Sequence, residues 1–398
     1  MRIFYGQAVF GEEEIAAVVD VLRTQPLLLM NGPKVAEFET RVAALFGKRF
    51  GSMVNSGSSA NLLAFAALDL PDRAEVVTPA LTFATTVAPL IQLGLVPAFV
   101  DSGPDTYVVD VARIEEAITP MTKAILVPNL IGNLPDWREL RRIADRHGLA
   151  LIEDSCDTLG ATLAGRPTAA LSDVSTISFY ASHVVTAAGF GGMACFDDEK
   201  LARRATLLRG WGRTSSLTGE SEDIATRFAQ TVDNIPYDSK FIFEDIGYNF
   251  LPSEIAAAFG LVQLGRLESY LARRQANFAA LAEFFGGYGD WFVLPRQNPE
   301  VRTGWLAFPL LVRDDAPSTR KDLQIHYEMN DIQTRTVFTG NIMRQPGFRG
   351  IVHRAPAAGV PNADRVMRNG ILLGCHQGLG TAEIERMFQV FRDFASKF

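Results

Sequence analysis

The sequence predicts an α/β protein: a large, mostly parallel sheet with helices on both faces, followed by a small α+β unit. Three observations carry this. From about residue 50 to 200, short apolar β-rich runs alternate with segments of helical period. The 398 residues, 47% hydrophobic and 21% charged, suffice for one large and one smaller core. Beyond residue 212 a polar stretch and a long helical pattern separate this region from one with mixed strand and helix signals. The units are placed at 1–265, including an N-terminal helical segment and a loop over 212–248, and at 266–398.

In chain order, strands are expected at Phe50–Val54, Glu75–Thr78, Val96–Val100, Ala124–Pro128, Leu149–Glu153, Val174–Phe179 and Gly192–Phe196. A helix is expected over Pro135–His147, where Trp137, Leu140, Ile143 and Ala144 share one face, Arg138, Arg141 and Arg142 fall elsewhere, and Gly148 gives the stop. The stretch 212–248, with Ser215-Ser216, Gly219 and mixed charges, reads as a long loop of the kind that is functional or disordered. A long helix should then run from Pro252-Ser253-Glu254 through Ile255, Phe259, Val262, Leu264 and Leu267 to about Phe285, bridging the units. Trp305–Val312 reads as a strand, Ser318–Met329 and Thr381–Ala395 as helices.

Composition excludes some function classes. A net charge of -7 without a dense Lys/Arg block argues against nucleic-acid or anionic-membrane surfaces, so a phosphorylated ligand would need local donors. The start Met1–Gln7 lacks a signal-peptide core and no apolar run reaches about 18 residues, so a cytoplasmic protein is expected. Cys156, Cys195 and Cys375 are far apart and lack CxxC spacing, and His326, His353 and His376 lack metal-ligand spacing. No disulfide framework and no metal site are expected.

Several segments carry residue types suited to chemistry. Asn55-Ser56-Gly57-Ser58-Ser59-Ala60-Asn61 lies between a strand and a helix. Its glycine and hydroxyls offer free N–H groups and a favourable dipole to a phosphate, although serines at a helix start also serve as plain caps. Ile152-Glu153-Asp154-Ser155-Cys156-Asp157-Thr158 puts acids at the carboxyl edge of the sheet, where α/β folds hold ligands; Asp154 would also suit a turn cap. Thr78–Thr85 follows another strand and carries Phe83, and Ile246-Gly247-Tyr248-Asn249-Phe250 precedes the long helix. His183 follows the expected strand Val174–Phe179 and precedes Gly191-Gly192. With an ordinary pKa near about 6.5, a histidine there can take a proton at neutral pH.

Over nearly the whole chain these segments resemble the sugar aminotransferases of the fold-type-I, vitamin-B6-dependent superfamily, the DegT/DnrJ/StrS family. The resemblance implies a pyridoxal or pyridoxamine phosphate site. Ser56–Ala60 are similar to the family's Ser-Gly-Thr-Ala phosphate loop, which implies Gly57, Ser58 and Ser59 as phosphate ligands, joined by Ser178. Asp154 matches the carboxylate that keeps the ring nitrogen protonated and the ring an electron sink. Asp157 falls near the ring hydroxyl, and Phe83 matches the stacking aromatic. Asn249 matches an asparagine that reaches the cofactor phosphate of the neighbouring subunit, which implies a homodimer with shared active sites.

At His183 the family carries the lysine that binds the cofactor covalently. The swap resembles the branch of 4-keto-6-deoxyhexose 3-dehydratases, which use pyridoxamine phosphate with a histidine base. Asn129–Asn133, Glu153–Gly160, Trp211-Gly212-Arg213, Gly340-Asn341 and Arg344-Gln345-Pro346 are similar to that branch, especially to its CDP-sugar member. This implies C3 deoxygenation of a nucleotide-linked 4-keto-6-deoxyhexose in deoxysugar biosynthesis, with His183 and Asp154 catalytic and with Arg335, Arg344 and Asn341 binding the substrate. The iron–sulfur member has clustered cysteines after Trp-Gly-Arg, whereas here the loop begins Thr214-Ser215-Ser216-Leu217 and has none, so no cluster is expected. Glutamate is then the expected amino donor, and a reductase partner stays open. Ala187-Ala188-Gly189-Phe190 also lacks the acidic residue that many relatives have before the paired glycines. Two rival readings remain: an aminotransferase recruiting another lysine, with Lys240 the nearest candidate, and a non-catalytic cofactor or sugar-nucleotide binder.

Overall fold

The computed structural model describes residues 2–24, 29–218 and 223–398. Seven strands form the large sheet: β1 (Phe50–Val54), β2 (Glu75–Pro79), β3 (Val96–Val100), β4 (Thr122–Pro128), β5 (Ala150–Asp154), β6 (Val174–Ser178) and β7 (Gly192–Phe196). Their spatial order is β1-β7-β6-β5-β4-β2-β3, and β7 alone runs antiparallel to its neighbours β1 and β6. Strands β2, β3, β6 and β7 are buried along their whole length. Helices cover both faces, which is why these segments read as unbroken apolar runs.

Glu153 and Asp154, adjacent at the end of β5, point to opposite faces. Glu153 is fully buried and pairs with no cation among the described residues, yet its carboxylate accepts from Asn129 Nδ2 (2.7 Å), Ser155 Oγ (2.8 Å), Ser175 Oγ (3.1 Å) and Thr168 Oγ1. That cage offsets the desolvation of the charge and fixes the segment that carries the site.

The second sheet has four strands in the order Phe292–Val293, Ala307–Val312, Gly370–Gly374, Arg335–Thr336, all antiparallel. Helices Arg320–Met329 and Thr381–Ala395 pack on it, with an aromatic core in which Phe284 stacks on Phe388 at 4.0 Å. Ile3 joins this unit: its N–H donates to Asp331 O and its carbonyl accepts from Gln333 N, both at 2.8 Å. The N-terminal residues thus pack with the C-terminal sheet rather than with the segment that follows them.

Three local expectations change. The single long helix is two, Glu254–Gly265 and Leu267–Gly286, with non-helical backbone at Arg266 (φ -103°, ψ 0°). The first is enclosed by α1 (Glu12–Thr24) and α2 (Pro33–Leu45), and a Cβ on its Gly260 would lie 2.8 Å from the Phe38 ring. The helix expected from Pro135 begins at Trp137, because Asp136 caps it, accepting from Arg138 and Glu139 N–H. The 212–248 loop carries a hairpin, Gln230–Val232 with Ile235–Tyr237, whose turn residues Asp233 and Asn234 take left-handed φ of 50° and 65°. Gly219, cited for irregularity there, lies outside the described residues.

Candidate active site

The carboxyl ends of β1, β2, β4, β5 and β6 converge on a cavity of about 430 Å³. Gly57, Ser58, Phe83, Asp154, Asp157, Ser178 and His183 all line it.

At one end, α3 (Gly57–Leu68) points its N-terminus inward, capped by Ser56, whose Oγ accepts from Ser59 N at 3.0 Å. Ser59 is thereby part of the cap and does not line the cavity. Gly57 is required sterically: a Cβ would lie 2.6 Å from Ser178 Cβ and 2.9 Å from Cys156 Sγ. The Ser58 hydroxyl donates to Thr85 Oγ1 at 2.8 Å. Together with Ser178 these groups form a donor-rich pocket at a helix N-terminus.

Asp154 lies opposite and is 5% exposed. Its Oδ2 accepts from Asn61 Nδ2 (2.9 Å) and Thr86 Oγ1 (2.8 Å), and its Oδ1 from Cys156 N (3.1 Å). Asn61 is itself oriented by Thr176, whose hydroxyl donates to Asn61 Oδ1 at 2.5 Å. The sequence reading missed Asn61 and Thr86. The signal for Asn61 was its place one turn into the helix begun by Gly57; for Thr86 only the tertiary contact tells.

His183 and Asp157 face one another, His183 Nδ1 lying 4.0 Å from Asp157 Oδ1. Burial lowers the imidazole pKa to about 4, so His183 is neutral at pH 7. Burial, with the nearby Asp154 charge adding, raises the Asp157 carboxyl to about 7. Tyr5, Tyr180 and Phe338 also line the cavity, and Phe83 meets Phe338 edge to face at 5.7 Å.

An adjoining cavity of about 720 Å³ shares Tyr5, Phe83, Tyr180, Ser182 and Phe338 with the first and is lined by Arg335. Arg344 and Asn341 line neither cavity. The Arg344 fork grips both oxygens of Asp364 (2.5 and 2.7 Å), and Asn341 Nδ2 donates to the same carboxylate at 2.7 Å. Asn249 is exposed and outside the cavity of its own chain. Among the described residues no lysine lines either cavity, and no group of three or more His, Cys, Asp or Glu is placed to hold a metal ion. No helix among them is long and apolar enough to cross a membrane.

The family described as DegT/DnrJ/EryC1/StrS aminotransferase matches residues 9–392. The chain belongs to this family. The lipopolysaccharide biosynthesis protein RfbH of Salmonella typhimurium is 35% identical, over 90% of this chain and 84% of that protein. The GDP-4-keto-6-deoxy-D-mannose 3-dehydratase of Yersinia pseudotuberculosis is 30% identical over 96% of each. A crystal structure of GDP-4-keto-6-deoxymannose-3-dehydratase with a trapped PLP–glutamate geminal diamine superposes with a TM-score of 0.87 at 28% identity, covering 98% of this chain and 99% of that one. The fold is accordingly that of the fold-type-I sugar aminotransferases, and the chain is an enzyme of that family.

Proposed function

We propose that the protein removes the C3 hydroxyl of a nucleotide-linked 4-keto-6-deoxyhexose, using pyridoxamine phosphate and a histidine base. One observation carries the reading: the residue that lines the cavity where the family has its lysine is His183, and no lysine lines the cavity among the described residues. A histidine cannot form the covalent link that an aminotransferase uses, but it can move a proton.

The cavity suits a B6 phosphate on its own terms. Gly57 leaves the space a Cβ would fill beside Ser178, the N-terminus of α3 is free on that side, and Asp154 is a buried carboxylate held by three donors. When bound, pyridoxamine phosphate supplies an amine to condense with the C4 ketone and a ring that accepts the electron pair released beside it. Gly57, Ser58 and Ser178 would hold the phosphate, Phe83 would stack on the ring, and Asp154 would keep a proton on the ring nitrogen. His183, neutral at pH 7, would serve as the base that takes the proton from the carbon bearing the amine. The imidazolium so formed is a strong acid in this buried site, suited to protonating the departing C3 hydroxyl.

Arg335 is the cation that lines the adjoining cavity and the candidate for the diphosphate. Arg344 and Asn341, held by Asp364, support the loop that Arg335 borders. Asn249, exposed on its own chain, suits contact with the site of a second copy in a homodimer.

With glutamate as donor the balance closes: the sugar exchanges its C3 hydroxyl for hydrogen while glutamate becomes 2-oxoglutarate and ammonia. The test is mass analysis of a panel of nucleotide-linked 4-keto-6-deoxyhexoses after incubation with the protein, pyridoxamine phosphate and glutamate. A product lacking one oxygen and gaining no nitrogen is expected. A product with an added amine would refute dehydration in favour of transamination.

A further inference from the structure

We propose that Asp157 is the positioning residue of His183: anchored by the turn at Ile131, its carboxyl group holds the imidazole with the proton on Nδ1, leaving Nε2 as the base. This rests on the reading of His183 as a base given above, and extends it to a residue whose expected role was contact with the cofactor ring.

His183 Nδ1 is buried without a hydrogen-bond partner among the described residues, and the carboxylate oxygen facing it is Asp157 Oδ1 at 4.0 Å. Closing that distance by about 1 Å makes a hydrogen bond. The other Asp157 oxygen is committed, since Oδ2 accepts from Ile131 N at 2.8 Å. That donor is held in an unusual way. Ile131, a β-branched residue, adopts φ 61° and ψ 1°, a left-handed conformation stable only when the surroundings impose it.

The surroundings do so from both units. Ile131 O accepts from Leu306 N at 2.8 Å, and a Cβ on Gly132 would lie 2.8 Å from Trp305 Cα. On the sheet side, Asn129 N donates to Asp154 O at 2.9 Å, and the Asn129 side chain is tied to Glu153 and to Trp137 Nε1. The strained N–H therefore has a fixed direction, and with one oxygen pinned the other faces His183. A histidine whose Nδ1–H meets a carboxylate keeps Nε2 unprotonated and its ring oriented, as general bases and metal-ligating imidazoles require.

The charged and titratable groups around the pair are Asp154, Cys156 beside it, Arg274 from the helix Leu267–Gly286 and Tyr5 from the N-terminus, with Cys375 of the second unit next to Tyr5 and Arg274. With Asp157 raised to about 7 and His183 lowered to about 4, both are neutral between those values, and above pH 7 the carboxylate faces a neutral imidazole. The carboxylate form binds Nδ1–H more strongly and makes Nε2 more basic. Turnover therefore falls as pH drops through about 7, where Asp157 takes its proton, not through the value of His183 itself.

The test uses Asp157→Asn and Asp157→Ala in the full-length protein, with His183→Asn as reference. Imidazole nitrogen NMR of the cofactor-free protein, the His183 signal assigned by its loss in His183→Asn, should show the Nδ1–H tautomer above pH 7 in the wild type and a mixture in Asp157→Ala. With cofactor and substrate, Asp157→Asn should lower kcat by roughly 10- to 100-fold and move the acid limb down by about one unit or more, while KM for the sugar nucleotide stays within about threefold. An unchanged tautomer and acid limb, or a loss confined to cofactor affinity, overturns the proposal. If His183→Asn keeps full dehydration activity, the underlying reading fails instead; if His183→Asn is inactive and the Asp157 variants behave as wild type, this inference alone fails.

Discussion

Gly57→Ala separates the phosphate site from the fold that carries it. The added Cβ would lie 2.6 Å from Ser178 Cβ, 3.2 Å from Ser178 Cα and 2.9 Å from Cys156 Sγ. Carbon contacts settle near about 3.5–4.0 Å, so roughly 1 Å must be found. Ser178 cannot supply it, because it ends a fully buried strand and pairs with Gly192 on β7. The first turn of α3 must move instead, and with it the N–H groups aimed into the cavity. For stability the terms oppose each other: alanine at this first helical position gains less than the about 1 kcal/mol of helix propensity it has over glycine in a helix interior, while overpacking costs about 1–3 kcal/mol. For cofactor binding nothing offsets the loss, since a hydrogen bond to a charged group contributes about 1.5–3 kcal/mol. One lost bond weakens pyridoxamine phosphate by roughly 10- to 100-fold. The expected signature is a small shift in the urea midpoint and a large rise in the dissociation constant, read by fluorescence titration. A folded variant that binds within about threefold of wild type would show that the phosphate does not sit at this helix end.

Other substitutions probe the remaining parts. His183→Asn should abolish dehydration by about 100-fold or more while keeping pyridoxamine phosphate binding, measured as single-turnover product formation beside cofactor affinity. Arg335→Met should raise KM for the sugar nucleotide by roughly 10-fold or more, whereas Arg344→Met, an exposed side chain whose fork already grips half-buried Asp364, should leave KM within about twofold. Equal effects would refute that assignment of the diphosphate. Glu254 is fully buried and accepts from Gly32 N, Lys34 N and Val35 N at 2.8–2.9 Å, capping α2 from a distance. Glu254→Gln sets an NH₂ group against one of these donors and should cost about 1–3 kcal/mol in unfolding experiments.

The sequence by itself determined what depends on short-range pattern. The strands of the large sheet were legible because, covered on both faces, they are almost purely apolar and end at glycines, caps and turns; Phe50–Val54, Val96–Val100 and Gly192–Phe196 fall as read. The cavity residues from β1, β5 and β6 were legible because a strand end fixes where its next few residues lie, and the exchange of lysine for His183 is written in one letter. What only the tertiary structure decided is which polar groups meet. Arg335 and Arg344 look alike in sequence, and the distant Asp364 decides that one fork is occupied while the other borders a cavity. Asn61 and Thr86 on Asp154 come from two different helices, and Ile131 on Asp157 from the turn after another strand; a hydrogen bond between segments so far apart leaves no period in the chain. The helix break at Arg266 and the pairing of Ile3 with the second unit arise the same way, because packing between distant segments outweighs local propensity. The lowered pKa of His183 is likewise a property of burial, and burial belongs to the fold rather than to the residue.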